Sequence, residues 1–131
     1  MEFFILMCMV FAHIVDDYYL QGVLAKMKQK VWWTMNCPDP EDAPGMYAND
    51  YKIALAMHAF SWAFMMMLPL GIYLVATGVS LAGVYMFMLL MNAAIHYSID
   101  DMKCNWGVIN LRTDQTAHLL QVVCTWMICL C

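Results

Sequence analysis

The chain has 131 residues, of which 64% are hydrophobic and only 12% charged. One domain fits that length, but a soluble domain is about half apolar and about a quarter charged, so the composition excludes an ordinary water-soluble fold and points to a bilayer. The net charge of −4 is scattered and no basic patch interleaves with aromatics, which argues against a nucleic-acid partner.

Four apolar segments follow in chain order, at 2–25, 52–77, 80–100 and 114–131, each near the roughly 20 residues that a spanning helix needs. They predict an all-α, integral membrane four-helix bundle, a single transmembrane domain over 1–131. The first segment has Glu2 as its only preceding charge and no A-x-A site after it, so it reads as a retained helix rather than a signal peptide. His13, Asp16 and Asp17 interrupt its apolar run. An amphipathic, Pro-rich connection at 26–51 comes next, with Lys26, Lys28 and Lys30, the Trp32–Trp33 pair as an interfacial anchor, and Pro38, Pro40 and Pro44 among acids. A short uncharged turn, VATGVS, joins the second and third segments, and the charged stretch DMKCNWGVINLRTD joins the third and fourth.

The six basic residues, Lys26, Lys28, Lys30, Lys52, Lys103 and Arg112, all belong to the first and third connections. The positive-inside rule then places both charged loops in the cytoplasm and both termini outside. Cys8, Cys124, Cys129 and Cys131 lie in apolar segments and no C-x2-C pair occurs, which reads as packing residues or free thiols; the fifteen Met residues read as flexible filler between helices.

Helical spacing sorts the polar residues onto faces. His13, Asp17 and Gln21 share one face of the first helix, Asn92, His96, Asp100 and Lys103 one face of the third, and Asp114, His118 and Gln121 one face of the fourth. His58 lies near the start of the second. At about 1.5 Å per residue, all four histidines fall within roughly 7–20 Å of the basic ends of their helices. Ionisable side chains at that depth are costly unless they face one another. Imidazoles and carboxylates converging in a bundle suit a divalent metal, zinc first, with iron or manganese as alternatives. Seven candidate ligands, His13, Asp17, His58, His96, Asp100, Asp114 and His118, exceed one tetrahedral shell, so either two ions bind or some acids orient the histidines. Asp16 and Asp101 point about 100° away from the stripes on an ideal helix and read as solvated or interfacial. Trp62, Trp106 and Trp126 read as packing or interface residues.

Together, His13-x3-Asp17-Tyr18-x-Leu20-Gln21, the central His58, His96-x3-Asp100-x2-Lys103 and Asp114-Gln115-x2-His118 resemble a family of small bacterial and phage integral membrane proteins of unknown function. The resemblance covers nearly the whole chain, with Lys26 or Lys28 standing for the basic residue that commonly follows the first block. The long Pro-rich first loop and the end at Cys131 depart from it. It implies a bacterial inner-membrane location, possible phage encoding and ligand-like positions, but no reaction.

Three functions compete. The first is a metal-dependent hydrolase acting on a lipid-like or membrane-interface substrate, with Asp17, Asp100 or Asp114 as general base and Lys103 stabilising negative charge. The second is a structural or phage-accessory interaction protein locked by a buried polar network; the third is a metal-ion or proton transporter. No Ser-His-Asp triad, G-x-S-x-G, P-loop or H-E-x-x-H is present, and Ser61, Ser80 and Ser98 have no motif around them.

Overall fold

The computed structural model describes residues 1–130, so Cys131, the last position of the expected fourth segment, lies outside the described residues. The fold is all helical, with no strand among the described residues. Helix α1 (Glu2–Val15) runs on through a π-helical turn (Asp16–Leu20). It is followed by α2 (Leu24–Met27), α3 (Lys30–Asn36), α4 (Asp50–Thr77), α5 (Ala82–Cys104) and α6 (Leu111–Leu130).

Three of these elements are long and apolar enough to cross a membrane: α1 with its π turn, α4 and α5. Helix α6 has 20 residues but is less apolar, because Arg112, Asp114, Gln115, His118 and Gln121 lie in it. The first expected segment, 2–25, is not one rod. It stops after Leu20, and Gly22 takes φ 53° before α2 begins. The connection at 26–51 is less irregular than expected, since α3 carries the Trp32–Trp33 pair. Helix α5 continues past residue 100 and so holds Lys103 on the same rod as Asp100.

Helix α1 packs on α4 and α6, α4 on α5, and α5 on α6, which closes the four long helices into a ring. Its surface is inverted relative to a soluble protein. Phe3, Phe4, Phe11, Ile53, Ile72, Val75 and Phe87 are all more than half exposed, whereas all four histidines and Asp17, Asp100 and Asp114 are buried. Exposed apolar area on that scale is what a membrane-facing or partner-covered surface carries. One half of the interior is a continuous apolar core of Met9, Trp62, Met66, Met67, Leu70, Leu74, Leu89 and Val122. The other half, toward the long connection, is polar. The free cysteines Cys8, Cys37, Cys104, Cys124 and Cys129 form no disulfide among the described residues.

The α4–α5 hairpin is set by glycine chemistry. Gly78 ends α4 at φ 70°, a conformation that costs glycine nothing, and the Val79 N–H closes on the Leu74 carbonyl at 3.1 Å. Two to three turns earlier in α4, the Met67 carbonyl accepts from the Tyr85 hydroxyl at 3.2 Å, and a Cβ at Gly71 would lie 2.8 Å from that hydroxyl. Gly71→Ala is therefore expected to displace Tyr85 and cost about 1–3 kcal/mol. Gly83→Ala in α5, where no atom lies within 4 Å, should be neutral or stabilising by up to about 1 kcal/mol. Unfolding midpoints of the two variants in one detergent check the opposite signs.

Candidate metal centre

The polar stripes meet at one end of the bundle. Helix α5 contributes Asn92, His96 and Asp100, α6 contributes Asp114, His118 and Gln121, α4 contributes His58, and α1 with its π turn contributes His13 and Asp17; all are buried. Three groups of side chains each bring their donor atoms within 4.8 Å of one another: Asp17, His58 and His96; His96, Asp100 and His118; Asp17, Asp114 and His118. Six of the seven expected ligands belong to these groups. His13 is buried beside them, its ring centroid 5.9 Å from that of His118, but belongs to none.

The histidines form a chain. His58 Nε2 lies 3.1 Å from His96 Nε2, and His96 Nδ1 lies 3.1 Å from His118 Nδ1. The Trp62 ring stacks on His96 at 4.2 Å, holding that imidazole in plane. Below them, amides fix the pattern of protons. The Asn92 Nδ2 donates to the Thr125 hydroxyl at 2.8 Å, and the Gln121 Nε2 donates to the Asn92 Oδ1 at 3.3 Å. That orientation turns the Gln121 Oε1 toward His118 Nδ1 at 3.2 Å, where it needs a donor. His118 therefore carries its proton on Nδ1, and in the neutral ring Nε2 is a bare lone pair.

That lone pair faces two carboxylates. His118 Nε2 is 3.3 Å from Asp114 Oδ1 and 3.5 Å from Asp100 Oδ1. All three atoms are buried and have no hydrogen-bond partner. Held this close in a dry interior, a ring nitrogen and two carboxylate oxygens need a positive charge, either a proton on His118 Nε2 or a bound cation, since each unsatisfied group costs about 1–3 kcal/mol or more; Lys103 Nζ stands 3.6 Å from Asp100 Oδ1. Ligands about 2.1 Å from a tetrahedral ion stand about 3.4 Å apart, and both His118 separations, to Asp100 and to Asp114, are of that size; the sets whose donors come together are His96, Asp100 and His118 and Asp17, Asp114 and His118, and their chemistry suits a divalent metal. The His118 Nδ1–H to Gln121 bond is then the outer contact that metal-binding imidazoles use to fix their tautomer.

The opposite carboxylate oxygens are already neutralised. Asp114 Oδ2 accepts from Lys103 at 2.6 Å, and Asp100 Oδ2 accepts from Lys28 at 2.6 Å while lying 3.3 Å from His58 Nε2. Asp17 is held by amides: Gln21 donates to its Oδ1 at 3.1 Å and Gln115 to its Oδ2 at 2.8 Å. Gln115 also donates to Asp114 Oδ2 at 3.0 Å, so one amide ties α1 to the start of α6.

Asp16 corrects the sequence expectation. Instead of being solvated it is buried and accepts from the Ser61 hydroxyl at 2.9 Å, giving that serine a partner in α4. A π turn takes one more residue than an α turn, so both neighbours, Asp16 and Asp17, fall on the inside. Asp101 behaves as expected, partly exposed and accepting from Asn105 at 2.7 Å. Trp106 is exposed, Trp126 donates to the Glu2 carbonyl at 2.9 Å, and Trp62 both packs and donates to His13. Sequence reasoning missed the depth of Lys28. Asn105 clamps the backbone there, accepting from the Lys30 N–H at 2.7 Å and donating to the Lys28 carbonyl at 3.1 Å, which delivers the ammonium to Asp100. The alternating Lys26, Lys28 and Lys30 gave no local sign of which would turn inward.

Comparison with family models, curated proteins and solved structures finds no match for this chain.

Removing one partner of a buried ion pair strands the other, at a cost of about 3–5 kcal/mol. Lys28→Met should lose that much stability, whereas Lys26→Met, at an exposed position, should stay within about 0.5 kcal/mol of the parent. Denaturant titration in detergent separates the two.

Proposed function

We propose that this chain is a four-span integral membrane metalloprotein of the bacterial inner membrane, with both charged connections cytoplasmic and both termini outside. We infer that its His/Asp centre, at the cytoplasmic end of the bundle, hydrolyses a lipid-like substrate. The observation that carries the reading is the gathering of buried imidazoles and carboxylates into three groups with donor atoms within 4.8 Å of one another, in which His118 Nε2, Asp100 Oδ1 and Asp114 Oδ1 make no hydrogen bond. His96, Asp100 and His118 would hold the first ion, zinc being favoured by the mixed nitrogen and oxygen set; Asp17, Asp114 and His118, or Asp17, His58 and His96, offer a second position. A divalent ion bound there supplies Lewis acidity, acidifying water and drawing electron density from a substrate ester oxygen.

The chain's own residues do the rest. Asp17, positioned by Gln21 and Gln115, is the general base that takes a proton from attacking water. Lys103 stabilises the negative charge that develops on the substrate, and Lys28 keeps Asp100 ionised and oriented. Exposed apolar side chains around the ring exclude bulk water and admit only substrates that reach the site through lipid.

Transport fits less well, because the apolar core from Met9 to Leu74 offers no polar path through the other half of the bundle. A structural polar lock is favoured by one observation, the direct 3.1 Å contacts along His58, His96 and His118. Metal analysis decides between lock and centre. Protein purified in detergent and supplemented with zinc, manganese or iron is expected to retain one or two equivalents of one of them. His118→Ala should abolish retention at the first position, and Gln121→Leu should weaken affinity about 10–100-fold by freeing the imidazole. Wild-type protein that retains no metal, with His118→Ala still folded, would leave only the polar lock. Metal-dependent release of product from acyl or phosphoryl ester lipids in the wild type, lost in Asp17→Asn, tests the hydrolase.

A further inference from the structure

Two lysines reach the polar end of the bundle, and they arrive differently. Lys103 stands on α5 one turn from Asp100 and keeps part of its side chain in solvent. Lys28 comes from the first connection, outside the four long helices, and is buried. Its backbone is held by Asn105, which donates to the Lys28 carbonyl at 3.1 Å and accepts from the Lys30 N–H at 2.7 Å, so the reach of the side chain is fixed from two sides. A lysine is almost never taken fully out of water without a partner that requires it there.

The place to which it is delivered has the donors of a metal position. Lys28 Nζ donates to Asp100 Oδ2 at 2.6 Å. That oxygen lies 3.3 Å from His58 Nε2 and 3.7 Å from His96 Nε2, and His58 Nε2 lies 3.6 Å from Asp17 Oδ1. Ligands of one tetrahedral ion stand about 3.4 Å apart, so Asp100 Oδ2 adds a fourth atom to the group formed by Asp17, His58 and His96. An ammonium is a compact point charge on a flexible stem, able to stand where a bare cation would.

Charge leads to the same place. Four buried carboxylates, Asp16, Asp17, Asp100 and Asp114, are matched by two ammonium groups, Lys28 and Lys103. With neutral imidazoles, which metal ligation requires, two negative charges remain, and one divalent ion cancels them. A second divalent ion beside both lysines would leave two positive charges unmatched in a dry interior, which is costly. Without Lys28 the deficit is three, more than one divalent ion carries.

We propose that Lys28 is a tethered cation at the second metal position, so that the native centre takes one divalent ion, at His96, Asp100 and His118, and the ammonium supplies the other positive charge. Asp100 then bridges the two, with Oδ1 toward His118 and Oδ2 toward Lys28. The inference rests on the metal-centre reading for the ion that is bound, but not for the place that Lys28 fills.

The test counts zinc in full-length protein purified in detergent, stripped with a chelator and reloaded, on the monodisperse fraction of the wild type, Lys28→Met and Lys26→Met. Lys28→Met is expected to hold one equivalent more than the wild type, and Lys26→Met, changed at an exposed position, to hold the wild-type count. Excess zinc should also raise the unfolding midpoint of Lys28→Met by more than that of the wild type, since the added ion binds only the folded chain. A Lys28→Met that folds only with zinc present throughout, while the wild type folds without it, supports the proposal in the same way. An unchanged count or an unchanged zinc response in Lys28→Met would overturn it. So would an extra ion that persists in the Lys28→Met, His58→Ala double variant, or two equivalents in the wild type, an outcome that leaves the metal centre itself intact. A wild type without zinc beside a Lys28→Met with one equivalent has the opposite meaning: the hydrolase reading falls and the tethered cation stands.

Discussion

A carboxylate taken out of water must be neutralised by its neighbours, and Asp100 imposes that condition on the whole molecule. It is fully buried and reaches Lys28 from the first connection, His58 from α4, His96 and Lys103 from its own helix and His118 from α6. The contacts with Lys28, His58 and His118 come from elements that would otherwise have their own freedom to rotate or slide. An uncompensated charge costs several kcal/mol, more than most packing differences, so the helices settle in the register that surrounds this group. The amides at Gln115, Gln121 and Asn92 then complete the bonds that charges cannot.

The remainder of the bundle follows from the opposite requirement. Apolar side chains face outward on helices of which three are long and apolar enough to cross a membrane, and the interior holds polar groups only where enough of them converge. This divides the bundle into two halves, one packed by Met, Leu and Trp62, the other by paired charges and imidazoles. Trp62 lies at the boundary, stacking on His96 while donating to His13, and so couples the packing of the apolar half to the proton arrangement of the polar half.

Much of this was legible in the sequence because it is local. The apolar segments and the i, i+4 stripes of α5 and α6 follow from helical period alone, and Asn92, His96, Asp100, Asp114, His118 and Gln121 all turn inward as that period predicts. The bounds of α4 were nearly right for the same reason. What escaped was set by contacts between distant residues. An α turn would point Asp16 outward, and only the π turn, supported by Ser61 across the interface, buries it. Lys28 finds a partner 72 positions away, and no run of neighbouring residues announces it. Trp62 resembled any other apolar aromatic until its indole N–H met His13.

The distance in sequence between Lys28 and Asp100 also sets an order of assembly. A chain inserted helix by helix has α1 and α4 in place before Asp100 exists as a partner, so Lys28 must remain at the watery surface and the polar face of α4 unclosed. Only when α5 arrives can Asn105 draw the first connection over the end of the bundle, and only α6 supplies the last imidazole. The centre is thus complete only when the last helix, with Asp114 and His118, is present. A half-made bundle carries unbalanced polar groups in its interior, which marks it chemically as incomplete.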